Sequence, residues 1–284
     1  MNEVSAPTAR GRLLLGDNLV ALAALPADSI DLVYMDPPFA TGRDYAVGAA
    51  AFSDSWRWDD AARAALAAEP EGPAGELLRA AVRHALRFSP VATYLVWMAR
   101  RLRQVVRTVK RRGAIWLHCD DHASHYLALL LQALHVERHG RPMHAEMVVW
   151  KRSSGANHSV NRWVRVSDHL LFLGPGARFR IQGVGTIWDD VQPLNARDGA
   201  RIGYPTEKPV ALIDRVLAVS ARDVDQFLDP FCGSGPSLIA ADRRLLRWIG
   251  MDASEQAIEA VRRRFTADDG AMAYGLFDAP GRVA

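Results

Sequence analysis

Cysteine is nearly absent: Cys119 and Cys232 are the two in 284 residues. Two cysteines build neither a disulfide framework nor a cysteine-rich zinc site, and they suit a reducing cytoplasm, the expected location. Long apolar runs are lacking too. No stretch approaches the ~18 consecutive apolar residues of a spanning helix, so no membrane association is expected. The chain does not open on a basic head followed by an apolar run, so no secretory signal is expected. Charge of one sign is scarce: 35 Lys and Arg face 32 Asp and Glu, a formal net of +3. That balance permits a polyanionic partner and leaves the distribution of charge to decide. Repeats of solenoid period are missing. Apolar residues, by contrast, make up 49% of the chain. That is enough for a sizeable core and too much for a disordered polymer.

Short apolar runs alternate with helical patterns. Strands are expected at Arg12–Leu15, Ile30–Met35, Ala114–His118, Glu146–Trp150, His169–Leu173, Gln226–Leu228 and Trp248–Met251. Helices are expected near Leu19–Leu25, Tyr94–Lys110, Ser124–Leu134, Val210–Val219, Pro236–Asp242 and Glu255–Phe265. Such alternation predicts an α/β fold with a mostly parallel sheet covered on both faces. Two stretches break the rhythm. Ala46–Pro90, rich in Ala, Gly, Pro and charge, reads as a mobile loop with a short helical insertion. Lys151–Gly203 is irregular; between Lys151 and Arg201 it carries eight Lys and Arg against four Asp and Glu, interleaved with Trp163, Phe172, Phe179 and Trp188. Basic and aromatic residues together suit nucleic acid, with arginines meeting phosphates or base edges. The plainer alternative is a solvated loop with a small core of its own. A second basic run, from Arg100 to Arg112, reads as the wet face of an amphipathic helix or as a phosphate contact.

Asp229-Pro230-Phe231-Cys232-Gly233-Ser234-Gly235 follows one strand and precedes a helix. Glycines there let the backbone approach a ligand. Leu238 stands where a dinucleotide loop needs a small residue, and no Lys-Ser/Thr pair follows, so phosphate-cradling loops are disfavoured. Asp229 at the entrance would repel phosphates and suit an ammonium group. Asp252, after the next strand, is placed to accept from ribose hydroxyls. Ribose, ammonium and no phosphate together point to S-adenosylmethionine; a turn that binds nothing is the plain alternative.

Asp36-Pro37-Pro38-Phe39 ends a buried strand. Two prolines remove two N–H donors, so the corner offers acceptors: the Asp36 carboxylate and the Pro37 carbonyl. Each can take one hydrogen of an exocyclic amino group, favouring a pyramidal nitrogen whose lone pair points out of the ring plane. Phe39 offers a flat face for a base that has left its duplex. A rigid strand-to-loop corner with a surface Asp is the bland alternative. Two other arrangements are weighed and set aside. His118-Cys119-Asp120-Asp121-His122 falls at a strand end, where its histidines share no helical face, so no metal is expected. Cys232, inside the glycine loop, reads as a small buried thiol rather than a nucleophile.

Taken in order, these strings resemble the β-group of DNA amino-methyltransferases, in which the catalytic motif precedes the cofactor motif. Leu15–Asn18, Ser29–Leu32, Phe52–Trp56, Gly113–Tyr126, Val149–Arg152 and Tyr204–Pro209 resemble further blocks of that family. The resemblance implies a seven-stranded, mostly parallel, Rossmann-like methyltransferase sheet with circularly permuted motif order. Residues 1–150 would form the catalytic half with its insertion at about 46–90, residues 151–203 an inserted target-recognition region, and 204–284 the cofactor half. Asp36, Pro37, Pro38 and Phe39 would be catalytic. Asp17 would contact the adenine of S-adenosylmethionine, with Thr206, Glu207 and Lys208 beside its methionine portion. Phe231, Gly233 and Gly235 would line the loop that Asp229 opens, and Asp252 would hold the ribose. Lys151, Arg152, Arg162 and Arg165 would meet DNA. The expected partner is double-stranded DNA, with a homodimer and a cognate restriction endonuclease as family expectations. Adenine N6 is favoured over cytosine N4 because Asp rather than Ser opens the catalytic motif. RNA or protein-amide methylation, or a silent DNA-binding module, are the remoter readings. Pro236 departs from the family, standing where Thr usually follows the second glycine.

Overall fold

The computed structural model describes residues 10–40, 42, 44–47, 50–152, 161, 163–174, 183–194, 207–220, 223–267 and 274–278. Its strands are β1 (Gly11–Leu15), β2 (Ile30–Met35), β3 (Asp44–Val47), β4 (Ala50–Ser53), β5 (Val109–Cys119), β6 (Glu146–Lys151), β7 (Ser167–Leu173), β8 (Ile187–Trp188), β9 (Gln226–Asp229), β10 (Arg247–Asp252) and β11 (Tyr274–Asp278). The helices are α1 (Asn18–Ala24), α2 (Asp60–Ala67), α3 (Pro73–Ala80), α4 (Pro90–Thr108), α5 (Ser124–His139), α6 (Val210–Val219), α7 (Pro236–Arg243) and α8 (Glu255–Ala267), with a π-turn at Ala81–Ala85 after α3.

Nine strands form one sheet in the order β11-β1-β10-β9-β2-β5-β7-β6-β8. All pairings are parallel except those of β7, which runs antiparallel to β5 and β6. The seven expected strands are present. The two extra ones are β8, two residues long and too short to show a period, and β11, which extends the edge beyond β1. The stretch 46–90 is corrected most: the β3–β4 hairpin reaches into it, and two helices with a π-turn follow where one short insertion was expected.

Strand β2 shows why the sheet is interior. All six of its residues are buried; Asp31 pairs with Lys110, and the five apolar ones divide between two cores. Ile30, Val33 and Met35 pack with α1, α4 and α5, while Leu32 and Tyr34 pack with α6, α7 and α8. A strand covered on both faces reads as a near-continuous apolar run, here broken by Asp31. Local chemistry sets the helix ends. Asp17 accepts from the Leu19 N–H at 2.9 Å to cap α1, and Asp59 accepts from Ala62 at 2.8 Å to cap α2. Proline opens α3, α4 and α7, where its missing N–H costs nothing. Gly140 ends α5 at φ 68°.

The arrangement brings β2, β9 and β10 side by side and parallel, with Val33 opposite Leu228 and Ile249 opposite Leu228. Asp36, Asp229 and Asp252 therefore all lie at the carboxyl edge of neighbouring strands, where open α/β sheets bind ligands.

Candidate functional site

The corner after β2 is held from two sides. The Ala40 N–H donates to Asp54 Oδ1 at 2.9 Å, and so does the indole Nε1 of Trp56 at 2.9 Å. Asp54 is 1% exposed, so these bonds form away from water, and Ala40 turns at φ 57°. The Phe52–Trp56 string is thus the clamp on the Asp-Pro-Pro-Phe turn. On the other side, Lys208 Nζ lies 2.7 Å from Asp36 Oδ2 and 4.9 Å from the centre of the Phe39 ring. The structure therefore brings Lys208 to the Asp-Pro-Pro-Phe corner. It neutralises Asp36 and leaves Oδ1 outside that ion pair.

The glycine loop is braced just as closely. Asn18 Nδ2 donates to the Pro230 carbonyl at 2.6 Å. Arg101, from α4, donates to Asn18 Oδ1 at 2.7 Å and to Asp17 Oδ1 at 2.8 Å, and its guanidinium lies 3.7 Å over the Trp97 ring. Burial lowers the Arg101 pKa to about 10 against the opposing pull of Asp17. Trp97 in turn meets Phe231 at 5.7 Å and Trp56 at 5.1 Å, so one aromatic cluster joins the corner's clamp to the loop. Gly235 takes φ 77°, and a Cβ there would meet Val261 Cγ2 at 2.9 Å, which together require glycine. Arg264, on α8, donates to the Ser234 carbonyl at 2.8 Å and to the Glu207 carboxylate.

Asp229 is buried, accepting from the Phe231 N–H at 2.9 Å and from the Ser237 hydroxyl. Ser237 thus supplies, one position later, a hydroxyl that Pro236 lacks. Burial pushes the Asp229 carboxyl up to about 7; its two hydrogen bonds oppose this, and the charges of Asp36 and Asp252 add to it. Asp252 accepts from Gly233 N at 2.9 Å and from Ser254 N at 2.9 Å, and burial raises its pKa as well. Each oxygen of Asp252 keeps a lone pair for a further donor. With Asp36 paired to Lys208, the carboxyls of Asp229 and Asp252 beside the glycine turn disfavour phosphate and fit a ligand bearing an ammonium group and hydroxyls.

The raised Asp229 pKa has a testable consequence. A carboxyl held above its unfolded value of about 3.9 adds stability that is complete below that value and lost as pH rises through about 7. Asp229→Asn keeps an acceptor for Phe231 and has no such titration. Urea midpoints should therefore favour the variant increasingly between about pH 4 and about pH 7 and level off above that. Parallel pH curves would remove this assignment.

Other expectations resolve differently. The basic run from Arg100 to Arg112 is neither a wet face nor a phosphate contact in the main. Arg103 pairs with Glu69 and Glu137, Arg107 donates to the Leu22 and Leu25 carbonyls at the end of α1, and Lys110 pairs with Asp31. The run also crosses from α4 into β5, so it shares no single face. Asp120, Asp121 and His122 do approach one another, with ligand atoms within 4.8 Å, but the Arg165 guanidinium lies on them: 3.4 Å from Asp121 and in contact with His122. Lys151 is exposed at the end of β6, and Arg152 pairs with Asp168 at 2.7 Å. Arg162 and Thr206 lie outside the described residues. Asn18, Asp54, Arg101, Ser237 and Arg264 were not singled out as site residues from the sequence. Only Asn18 and Asp54 fell within strings that carried the resemblance.

A family model described as DNA methylase, of the N6/N4 type, matches residues 30–182 and 178–263. The chain is similar to the type II methyltransferase M2.DpnII of Streptococcus pneumoniae, 29% identical over 126 residues, which are 44% of this chain and 43% of that protein. The chain thus spans less than half the length of that relative. In fold it resembles the cytosine-N4-specific PvuII DNA methyltransferase, with TM-score 0.61, 16% identity, and coverage of 92% of this chain and 88% of that one. The complex of M1.HpyAVI with SAM is similar too, with TM-score 0.54, 15% identity, and coverage of 89% and 99%.

Proposed function

Starting from a chain that belongs to the N6/N4 DNA methylase family, we propose that it transfers a methyl group from S-adenosylmethionine to an exocyclic amino nitrogen of a base swung out of duplex DNA. The observation that carries this reading is the adjacency of the acceptor corner at Asp36 and the carboxylate-lined glycine loop at Asp229 and Asp252, on neighbouring parallel strands. S-adenosylmethionine supplies an electrophilic methyl group on a sulfonium when bound. Asp252 and the Gly233 turn would hold its ribose, and Asp229 its ammonium. Asp17, capping α1 beside the same loop, would meet its adenine.

The chain's own residues prepare the nucleophile. Asp36 Oδ1 and the Pro37 carbonyl each accept one amino hydrogen, which draws the nitrogen lone pair out of conjugation with the ring. Lys208 stays on Oδ2, so Asp36 serves as an oriented acceptor rather than a strong base. Methylation leaves an acidic ammonium, whose surplus proton passes to Asp36 or to water. Phe39 stacks on the base, and rate then comes from positioning and preorganised charge. Lys151, Arg152, Arg162 and Arg165 belong to the segment proposed to read the duplex, residues 151–203, and Arg152 and Arg165 would exchange their pairs with Asp168, Asp120 and Asp121 for phosphates on binding. Trp163, 97% exposed, presents an aromatic face on the same segment.

Adenine N6 is the favoured acceptor, on the Asp that opens the corner. Cytosine N4 is the second reading, since its amino group offers the same two hydrogens and conjugated lone pair to the Asp36 and Pro37 acceptors. Incubation with unmethylated duplex DNA followed by mass spectrometry of the nucleosides is expected to show 6-methyladenine. Appearance of 4-methylcytosine alone would reverse the choice of base, and absence of either would end the DNA reading.

A further inference from the structure

Behind the corner runs a buried polar line that the chemistry above does not use. His118, near the end of β5, is 0% exposed. Its Nδ1 lies 3.0 Å from the Tyr34 hydroxyl on β2, and its Nε2 lies 3.1 Å from Asp168 Oδ2 on β7. The other oxygen of Asp168 lies 2.7 Å from Arg152 Nε. With both nitrogens engaged, the imidazole cannot turn without losing a buried bond. Burial alone would raise the Asp168 carboxyl, but the bond and charge of His118, with Lys208 and Arg152, bring it below its usual value, so it remains an anion. Three rings meet the imidazole: Tyr34 edge-on at 6.4 Å, Trp150 edge-on at 5.9 Å, and Phe39 at 5.6 Å with 31° between planes. Phe39 itself follows two prolines on a loop, with no strand partner. The fixed ring of His118 is its support.

We propose that His118 is a positioning residue: it fixes the pose of the Phe39 ring and, through Asp168 and Arg152, ties that ring to the strands bracketing residues 152–166. Arg152 opens that segment after β6, and Asp168 closes it within β7. A base stacked on Phe39 would then share one rigid frame with β6 and β7, the strands at either end of that segment. The part concerning the base rests on the function proposed above; the contact between His118 and Phe39 does not.

His118→Gln tests it. Glutamine can still meet Tyr34 and Asp168 but has no ring. Labelled methyl transfer to unmethylated duplex DNA should fall about tenfold in kcat, the scale of one lost aromatic contact. Affinity for S-adenosylmethionine should hold within about twofold. In a Phe39→Ala background the same change should cost nothing further. A crystal structure of His118→Gln should show the Phe39 ring displaced or in more than one pose. An unmoved ring, or an equal loss of kcat in both backgrounds, overturns the proposal. A wild-type protein that methylates no DNA sinks the proposed function, while the ring pose still decides for or against the positioning role. Should His118→Gln not fold, Asp168→Asn, which weakens the hold on Nε2, carries the same measurements.

Discussion

Asp36→Ala is expected to lower methyl transfer to DNA by about a thousandfold or more while S-adenosylmethionine still binds, within about tenfold of the wild-type affinity. The carboxylate is asked to do one thing, to accept an amino hydrogen at the moment the lone pair leaves the ring. An acceptor needed mainly in the transition state shows its loss in kcat rather than in ligand affinity. Removing a single preorganised hydrogen-bonding group of this kind costs about 10²–10³ elsewhere. Here the change also strands the Lys208 ammonium, 2.7 Å away in the wild type, beside the reacting centre. That extra positive charge opposes development of a cationic product and pushes the loss upward. Asp36→Asn should fall between, since its amide keeps one acceptor oxygen and adds a donor towards Lys208. Calorimetric titration of S-adenosylmethionine against both variants separates binding from chemistry. Transfer by Asp36→Ala above about one-tenth of the wild-type rate would remove the mechanism.

Most of the sheet was legible because its strands are buried on both faces and announce themselves as short, mostly apolar runs, as β2 does in Leu32–Met35. The corner and the glycine loop were legible because each is contiguous: proline chemistry and glycine geometry are properties of neighbours in the chain. What stayed hidden is made by pairing over distance. Arg101 meets Asn18 across 83 positions, and Lys208 meets Asp36 across 172. His118 meets Asp168 across 50 positions; in the sequence it looked like part of a metal string and in the fold it is a buried hydrogen-bonding partner. The same limit explains the basic run. Charges without acids between them in sequence find Asp17, Asp31, Glu69 and Glu137 from other elements. Local pattern shows that a side chain carries charge; only the packing shows what neutralises it.

That distinction governs the second large effect, expected for Arg264. Its side chain is 8% exposed and faces the Glu207 carboxylate, whose side chain is 0% exposed, while its Nε and Nη2 hold the Ser234 carbonyl and hydroxyl. Arg264→Met keeps the apolar stem, removes the guanidinium and takes from Glu207 its buried cation. Breaking a buried pair from one side costs about 3–5 kcal/mol, because the remaining charge keeps its desolvation penalty. The loss should appear as a lower urea midpoint with an unchanged m-value. Function should suffer separately. Ser234 lies between the two loop glycines, and Glu207 precedes the lysine that holds Asp36, so one guanidinium ties the loop to the segment reaching the corner. Affinity for S-adenosylmethionine should therefore fall by more than in Asp36→Ala. Adding Glu207→Gln removes the carboxylate charge that lost its arginine and should return part of the stability. It should not return the affinity, because the Ser234 carbonyl and hydroxyl remain unheld. Recovery of both together would mean that the arginine acts on the loop only through the fold's stability.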